Sequence, residues 1–273
     1  MKRLLVPNPV STQSLSRRSR PLLVLPSVAR LLLLIQMTLS VSADVLHYSL
    51  VNDWSDSQNP HGPWSYNLNN APITTFQPFW WGQAGWGYNY LGDGCIIRGS
   101  APTGTDPFGN PVPAANDWQP GDVMMHALSI PYGGDSTFLN VTWTSPVAGV
   151  LDISGRAWDG LIQSDRDVAW SLSVGGQLVA QRSSVQGLFR SDSAAQFANN
   201  LLAGQTLTGI PVTQGEIVQF QVATDTYYGE FLGVQTELAV TTVPEPGTCI
   251  LLFLACVGLL YRRRWLVADG RGA

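Results

Sequence analysis

The chain has 273 residues, of which 45% are hydrophobic, 10% aromatic and 12% charged, and its formal charge is −4. Residues 44–243 alone hold fourteen Asp and three Glu against five Arg and no Lys, a formal charge of −12, because the other basic residues sit near the two ends. So acidic a body excludes nucleic acid and anionic lipid, which need Lys and Arg to neutralise phosphate, and would attract divalent cations instead.

The N-terminal segment has the parts of a secretory leader. Arg17, Arg18, Arg20 and Arg30 form a basic lead-in, residues 31–39 are mostly apolar, and Val41, Ser42 and Ala43 are small where a signal peptidase needs small residues. We read residues 1–43 as a signal peptide cleaved after Ala43. The lead-in is long and rich in proline, which leaves open a translation start later than Met1. The Arg17-Arg18 pair also leaves open the twin-arginine route, against the plainer reading of a basic leader.

Residues 44–243 are long enough for one domain with a substantial core. Residues 44–51 read as a strand, while 52–121 are dense in Gly, Pro, Asn and Trp and predict short strands between long loops. Residues 123–130 read as the next strand. From there a period of two takes over, with Leu139, Val141 and Trp143 on one face and Asn140, Thr142 and Thr144 on the other. Leu151 and Ile153 continue it after a turn at 145–149. Val168, Trp170, Leu172 and Val174 form another apolar face, and Gly175-Gly176 predicts a two-residue hairpin into 177–181. Residues 194–202 could hold one short helix. Val218, Phe220 and Val222, then Val234, Thr236, Leu238 and Val240, give the last two faces. The expected class is all-β, an antiparallel β-sandwich or jelly roll, with no repeat that would build a solenoid or propeller.

Within that domain the chemistry on offer is sparse. Trp80, Trp81, Trp86 and Tyr88, with Gln83 and Asn89 beside them, have the composition of a carbohydrate platform, in which sugar rings stack on exposed aromatics. The same residues would equally fill a core or brace a glycine-rich loop. Asp53 and Asp56, near Asn52 and Asn59, and the set Asp159, Asp165 and Asp167 offer hard oxygen ligands for a structural Ca²⁺, without EF-hand spacing. Solvated loop carboxylates are the alternative, and no metal ligand set or cofactor is assigned. His47, His61 and His126 are scattered, and neither HExxH nor GxSxG occurs, so no catalytic residues are assigned. Cys95 is the domain's lone cysteine and reads as a buried small hydrophobe.

The C-terminus is the most specific part. Pro244, Glu245 and Pro246 demand an extended segment free of helix and sheet, accessible to a processing enzyme. Residues 247–261 carry no charge and would span roughly 22 Å as a helix, short of a bilayer's hydrocarbon core. Arg262, Arg263 and Arg264 would hold the cytoplasmic side, with residues 265–273 behind them as a cytoplasmic tail.

Motif, short span and basic stop over residues 243–264 resemble the PEP-CTERM sorting signal of Gram-negative bacteria, also labelled the ice-binding protein C-terminal domain. The resemblance implies recognition of Pro244, Glu245 and Pro246 by exosortase, a membrane-embedded cysteine protease that removes the tail and releases the protein to the cell surface or an exopolysaccharide matrix. Residues 265–273 extend beyond the point where such tails usually stop, and a permanent membrane anchor is the alternative. Segments 141–149, 153–155 and 215–220 also resemble, in outline, galactose-binding-like jelly-roll modules. These matches bear on fold and carry over no ligand residue. The expectation is an exported, non-enzymatic cell-surface or extracellular-matrix protein. Its domains are the signal peptide 1–43, the β-domain 44–243 and the sorting signal 244–264. A carbohydrate-binding module is the alternative, and a secreted hydrolase a third.

Overall fold

Alternating apolar and polar side chains place one face of a strand in the core, and the computed structural model folds the chain along those alternations. It describes residues 43–88, 94–100, 104–105, 109, 111–112, 116–127, 138–161, 166–224, 229–243 and 258. The leader up to residue 42, the Pro244 to Pro246 motif, the Arg262 to Arg264 cluster, Asn89 and Asp165 lie outside these residues. The compact unit that carries every strand runs Ala43–Pro244.

The strands are, in chain order, β1 (Val45–Ser49), β2 (Trp64–Leu68), β3 (Ala71–Pro72), β4 (Phe76–Pro78), β5 (Ala84–Gly87), β6 (Cys95–Arg98) and β7 (Val123–His126). There follow β8 (Leu139–Thr144), β9 (Gly149–Asp159), β10 (Ala169–Val174), β11 (Gln177–Arg182), β12 (Ile210–Val212), β13 (Ile217–Ala223) and β14 (Phe231–Thr242). They form two antiparallel sheets. The first has the order β12-β9-β14-β7-β6-β5-β4, and the second β11-β10-β13-β8-β2-β3.

The first sheet is organised around β14. One edge pairs with β9 along its length, from Leu232 opposite Asp159 to Thr242 opposite Gly149. The other edge is shared: β7 takes Phe231 to Val234, and β1 takes Glu237 to Thr241. Aromatic rings tie the sheets together, with Tyr48 of β1 5.2 Å from Trp143 of β8, and Tyr66 of β2 stacked 6.4 Å from Trp86 of β5. The apolar sets expected at 139–143, 151–153, 170–174, 218–222 and 234–240 all face this common core. Cys95 is buried in it, and burial pushes its thiol pKa up.

Turn chemistry explains the tight connections. Gly175 and Gly176 adopt φ of 56° and 80°, the left-handed pair that a two-residue hairpin between twisted strands requires. Asn69 and Asn70, at 50° and 65°, do the same between β2 and β3, a hairpin the sequence pattern alone left unresolved. The one helix expected, at 194–202, is instead two short 3₁₀ turns, Ser193–Ala195 and Phe197–Asn200. Two side-chain amides take carbonyls that a continuing helix would bond: Asn199 Nδ2 donates to Ser193 O at 2.6 Å, and Asn200 Nδ2 donates to Ala194 O at 2.8 Å. Phe197 is meanwhile drawn into the core, 5.2 Å from the Trp170 ring. Among the described residues no helix is long and apolar enough to cross a membrane.

Candidate functional site

The aromatic stretch is a packing element. Trp81 and Trp86 are each 4% exposed, and Gln83 is buried with its Nε2 donating to Trp81 O and its Oε1 accepting from Ser100. Trp80 is partly buried, its ring 5.1 Å from His126 and 5.8 Å from Phe231. Trp81 packs on Trp118 and Phe231, at 5.6 and 5.7 Å. Trp86 donates from Nε1 to Ser55 O at 2.9 Å. The glycines of the stretch serve this packing: a Cβ on Gly85 would lie 2.4 Å from Ile96 O, and one on Gly87 2.7 Å from the Phe79 ring. The platform expected of Trp80, Trp81, Trp86 and Tyr88 is therefore not assembled. A stacked sugar needs open ring faces, and of the four only Tyr88, 44% exposed, stands out from the surface.

The candidate calcium ligands are engaged within the protein. Asp53 Oδ2 accepts from Ser49 N and Trp64 Nε1, at 2.9 and 3.1 Å, and Asp56 Oδ1 accepts from Trp54 Nε1 at 2.5 Å. Asn59 bonds the backbone of Tyr66 and Ile73. Asp167 Oδ1 accepts from Val168, Val185 and Gln186 N. Asp159 is fully buried and accepts from Leu161 N and Gly187 N; burial raises its pKa above the usual carboxylate range, while the two N–H groups pull it down. Among the described residues no three or more His, Cys, Asp or Glu side chains come together as a metal cluster.

The three histidines are split between the core and one cleft. His126 is buried among Trp80 and Phe231, and burial, with Arg166 nearby, lowers its pKa to about 3. His47 and His61 line one open cleft of about 380 Å³ together with Tyr48 and Asp53.

A different surface emerges from the register of the second sheet. On the face away from the core, Asn67 of β2 stands opposite Asn140 of β8, Asn140 opposite Gln221 of β13, Gln221 opposite Ser171 of β10, and Ser171 opposite Gln181 of β11. One step along the strands, Ser65, Thr142, Gln219 and Ser173 make a parallel row. All nine side chains are amides or hydroxyls, and none ionises. Over the end of the first row an open cleft of about 680 Å³ is lined by Ser171, Gln181, Gln221, Arg182, Ser183 and Ser184. The sequence places Asn140 and Thr142 on the polar side of one strand but carries no signal of their neighbours, because strands far apart in the chain supply them; with those neighbours in place Asn67 and Asn140 are buried, 2% and 0% exposed.

Comparison with known proteins finds no matching family model, no matching curated protein and no matching solved structure.

Proposed function

We propose that the chain is an exported, non-enzymatic cell-surface or extracellular-matrix protein of a Gram-negative-type bacterium, sorted by a PEP-CTERM-like tail that exosortase recognises at Pro244, Glu245 and Pro246. The observation that carries this reading is the coincidence of boundaries. The strand-bearing unit runs Ala43–Pro244, and those limits fall where the leader's small residues and the tail's proline motif stand in the sequence. The domain is then what remains once signal peptidase and exosortase have acted, a jelly-roll-like ectodomain freed from its transient membrane anchor. A non-enzymatic role is supported by the way acid and base groups are used: His126 is held neutral in the core, and Asp53, Asp159 and Asp167 accept backbone N–H bonds.

Mass spectrometry on the protein recovered from culture medium tests the reading. Termini near Asp44 and Pro246 are expected; a secreted form that retains residues 247–273 would sink the processing claim. A carbohydrate-binding role is the second reading, favoured by the uncharged rows on the second sheet.

A further inference from the structure

The outer face of the second sheet has two halves that use their polar groups differently. At the β2 and β8 end the side chains satisfy one another. Ser65 Oγ donates to Asn67 Oδ1 at 2.7 Å, Asn67 Nδ2 donates to Asn140 Oδ1 at 2.9 Å, and Asn140 Nδ2 donates to Asn70 Oδ1 at 3.0 Å. Over β13, β10 and β11 only one such bond forms among the described residues, from Gln219 Nε2 to Gln221 Oε1 at 3.0 Å. The Gln221 Nε2 and the side chains of Ser171, Ser173 and Gln181 have no hydrogen-bond partner among the described residues. The 680 Å³ cleft opens over this unsatisfied half.

We infer that the open half, centred on Gln219, Gln221, Ser171 and Gln181, binds a neutral, hydroxyl-rich polysaccharide. Charge is the first argument. Residues 44–243 carry −12, yet neither row contains an ionisable side chain, so the acids are kept off this face. An anionic polymer would be repelled by the domain as a whole. Arg182, the one cation lining the cleft among the described residues, is already tied to Ser184 O through Nε and to Asn200 Oδ1 through Nη1. Chemistry is the second argument. Each amide and hydroxyl both donates and accepts, as sugar hydroxyls do, and Ile217, 45% exposed beside Gln219 on β13, adds an apolar contact for the C–H face of a sugar ring. Geometry is the third. Strands stand about 4.8 Å apart, so the open half, three strands wide, runs roughly 10 Å from β13 to β11, enough to lie along a short stretch of such a polymer. The inference rests on the reading that the domain works outside the cell, where such polymers are met.

Affinity electrophoresis of the purified full chain in mild detergent, through gels cast with a neutral glucan, a neutral galactomannan or alginate, tests it. Retardation is expected in at least one neutral gel and not in alginate alone. The paired substitution Gln219→Glu and Gln221→Glu keeps side-chain shape while adding charge, and should weaken the apparent affinity by about tenfold or more. Ser171→Ala with Gln181→Ala should weaken it too, and stands in if the first pair misfolds by near-UV circular dichroism. Val150→Glu, on the outer face of the first sheet, should change nothing. Absence of retardation in every neutral gel, retardation in alginate alone, or equal retardation of wild type and both paired variants overturns the inference. Because binding is read on the purified chain, an untrimmed tail would leave it standing, and trimmed termini without binding would leave export standing.

Discussion

Arg190 shows how this domain handles its scarce positive charge. Its guanidinium forms a bidentate pair with Asp122, donates to Asp117 O and lies 4.3 Å above the Trp158 ring, whose own Nε1 donates to Asp117 O at 2.9 Å. The Asp122 side chain is 3% exposed and also accepts from Gln119 N, so it depends on the arginine to offset its desolvation. Arg190→Met keeps the bulk over Trp158 but strands that carboxylate, and should destabilise the fold by about 3–5 kcal/mol in urea denaturation followed by tryptophan fluorescence. Asp122→Asn with Arg190→Met should recover part of the loss, since the most buried carboxylate is then neutral and Asp117, 19% exposed, keeps its bond from the backbone N–H of residue 190. His126 sets a pH dependence of definite sign. Its folded pKa of about 3 lies below the ordinary imidazole value of 6.5, so the unfolded chain binds a proton first as pH falls. Its contribution is complete above 6.5 and is lost between there and about 3, at about 1.4 kcal/mol per pH unit. His126→Phe should flatten that part of the stability profile; an unchanged slope between pH 6 and 4 would mean that other groups set it.

At the scale of elements, the β9–β14 pair joins the two halves of the first sheet by bringing backbone close to large rings. Gly233 stands opposite Trp158, and a Cβ there would lie 2.2 Å from the indole ring. Gly155 is equally closed, at 2.2 Å from Gln235 O with φ of 157°. Gly233→Val must displace a fully buried tryptophan, and should cost about 1–3 kcal/mol, read as a lowered denaturation midpoint, with loss of the near-UV tryptophan signal. Such close approaches mark the limit of what the sequence discloses. The strands β8, β9, β10, β13 and β14 are legible because their period of two reports burial residue by residue. The Gly175-Gly176 turn is legible because few other residues adopt that conformation. The aromatic stretch is not, since Trp80 to Tyr88 have the same composition on a platform or in a core. What decides is the arrival of Trp118, His126 and Phe231 from distant segments. The rows on the second sheet are hidden for the same reason. Asn140 can be placed on the polar side of its strand, but its burial between Asn67 and Gln221 depends on a register that joins β2, β8 and β13.

For the whole molecule, the distribution of charge separates residence from transit. The domain at −12 has no attraction to an anionic membrane surface, so only the apolar run at 247–261 and the arginines behind it would hold the protein there. That run would span roughly 22 Å as a helix, below the ~30 Å hydrocarbon core, a mismatch that suits a temporary anchor better than a permanent one. If the tail is removed at the motif, the acidic domain should leave the membrane. Pro244→Ala with Pro246→Ala lets the backbone enter other conformations and removes the shape that the protease is proposed to read. In the native host this double variant should accumulate in the membrane fraction at full length, while wild type is recovered from medium or matrix without residues 247–273. Immunoblotting of the two fractions with an antibody to the β-domain separates the outcomes. Release of both proteins in equal amount would remove the motif from the sorting step, and retention of both in the membrane would make the tail an ordinary anchor.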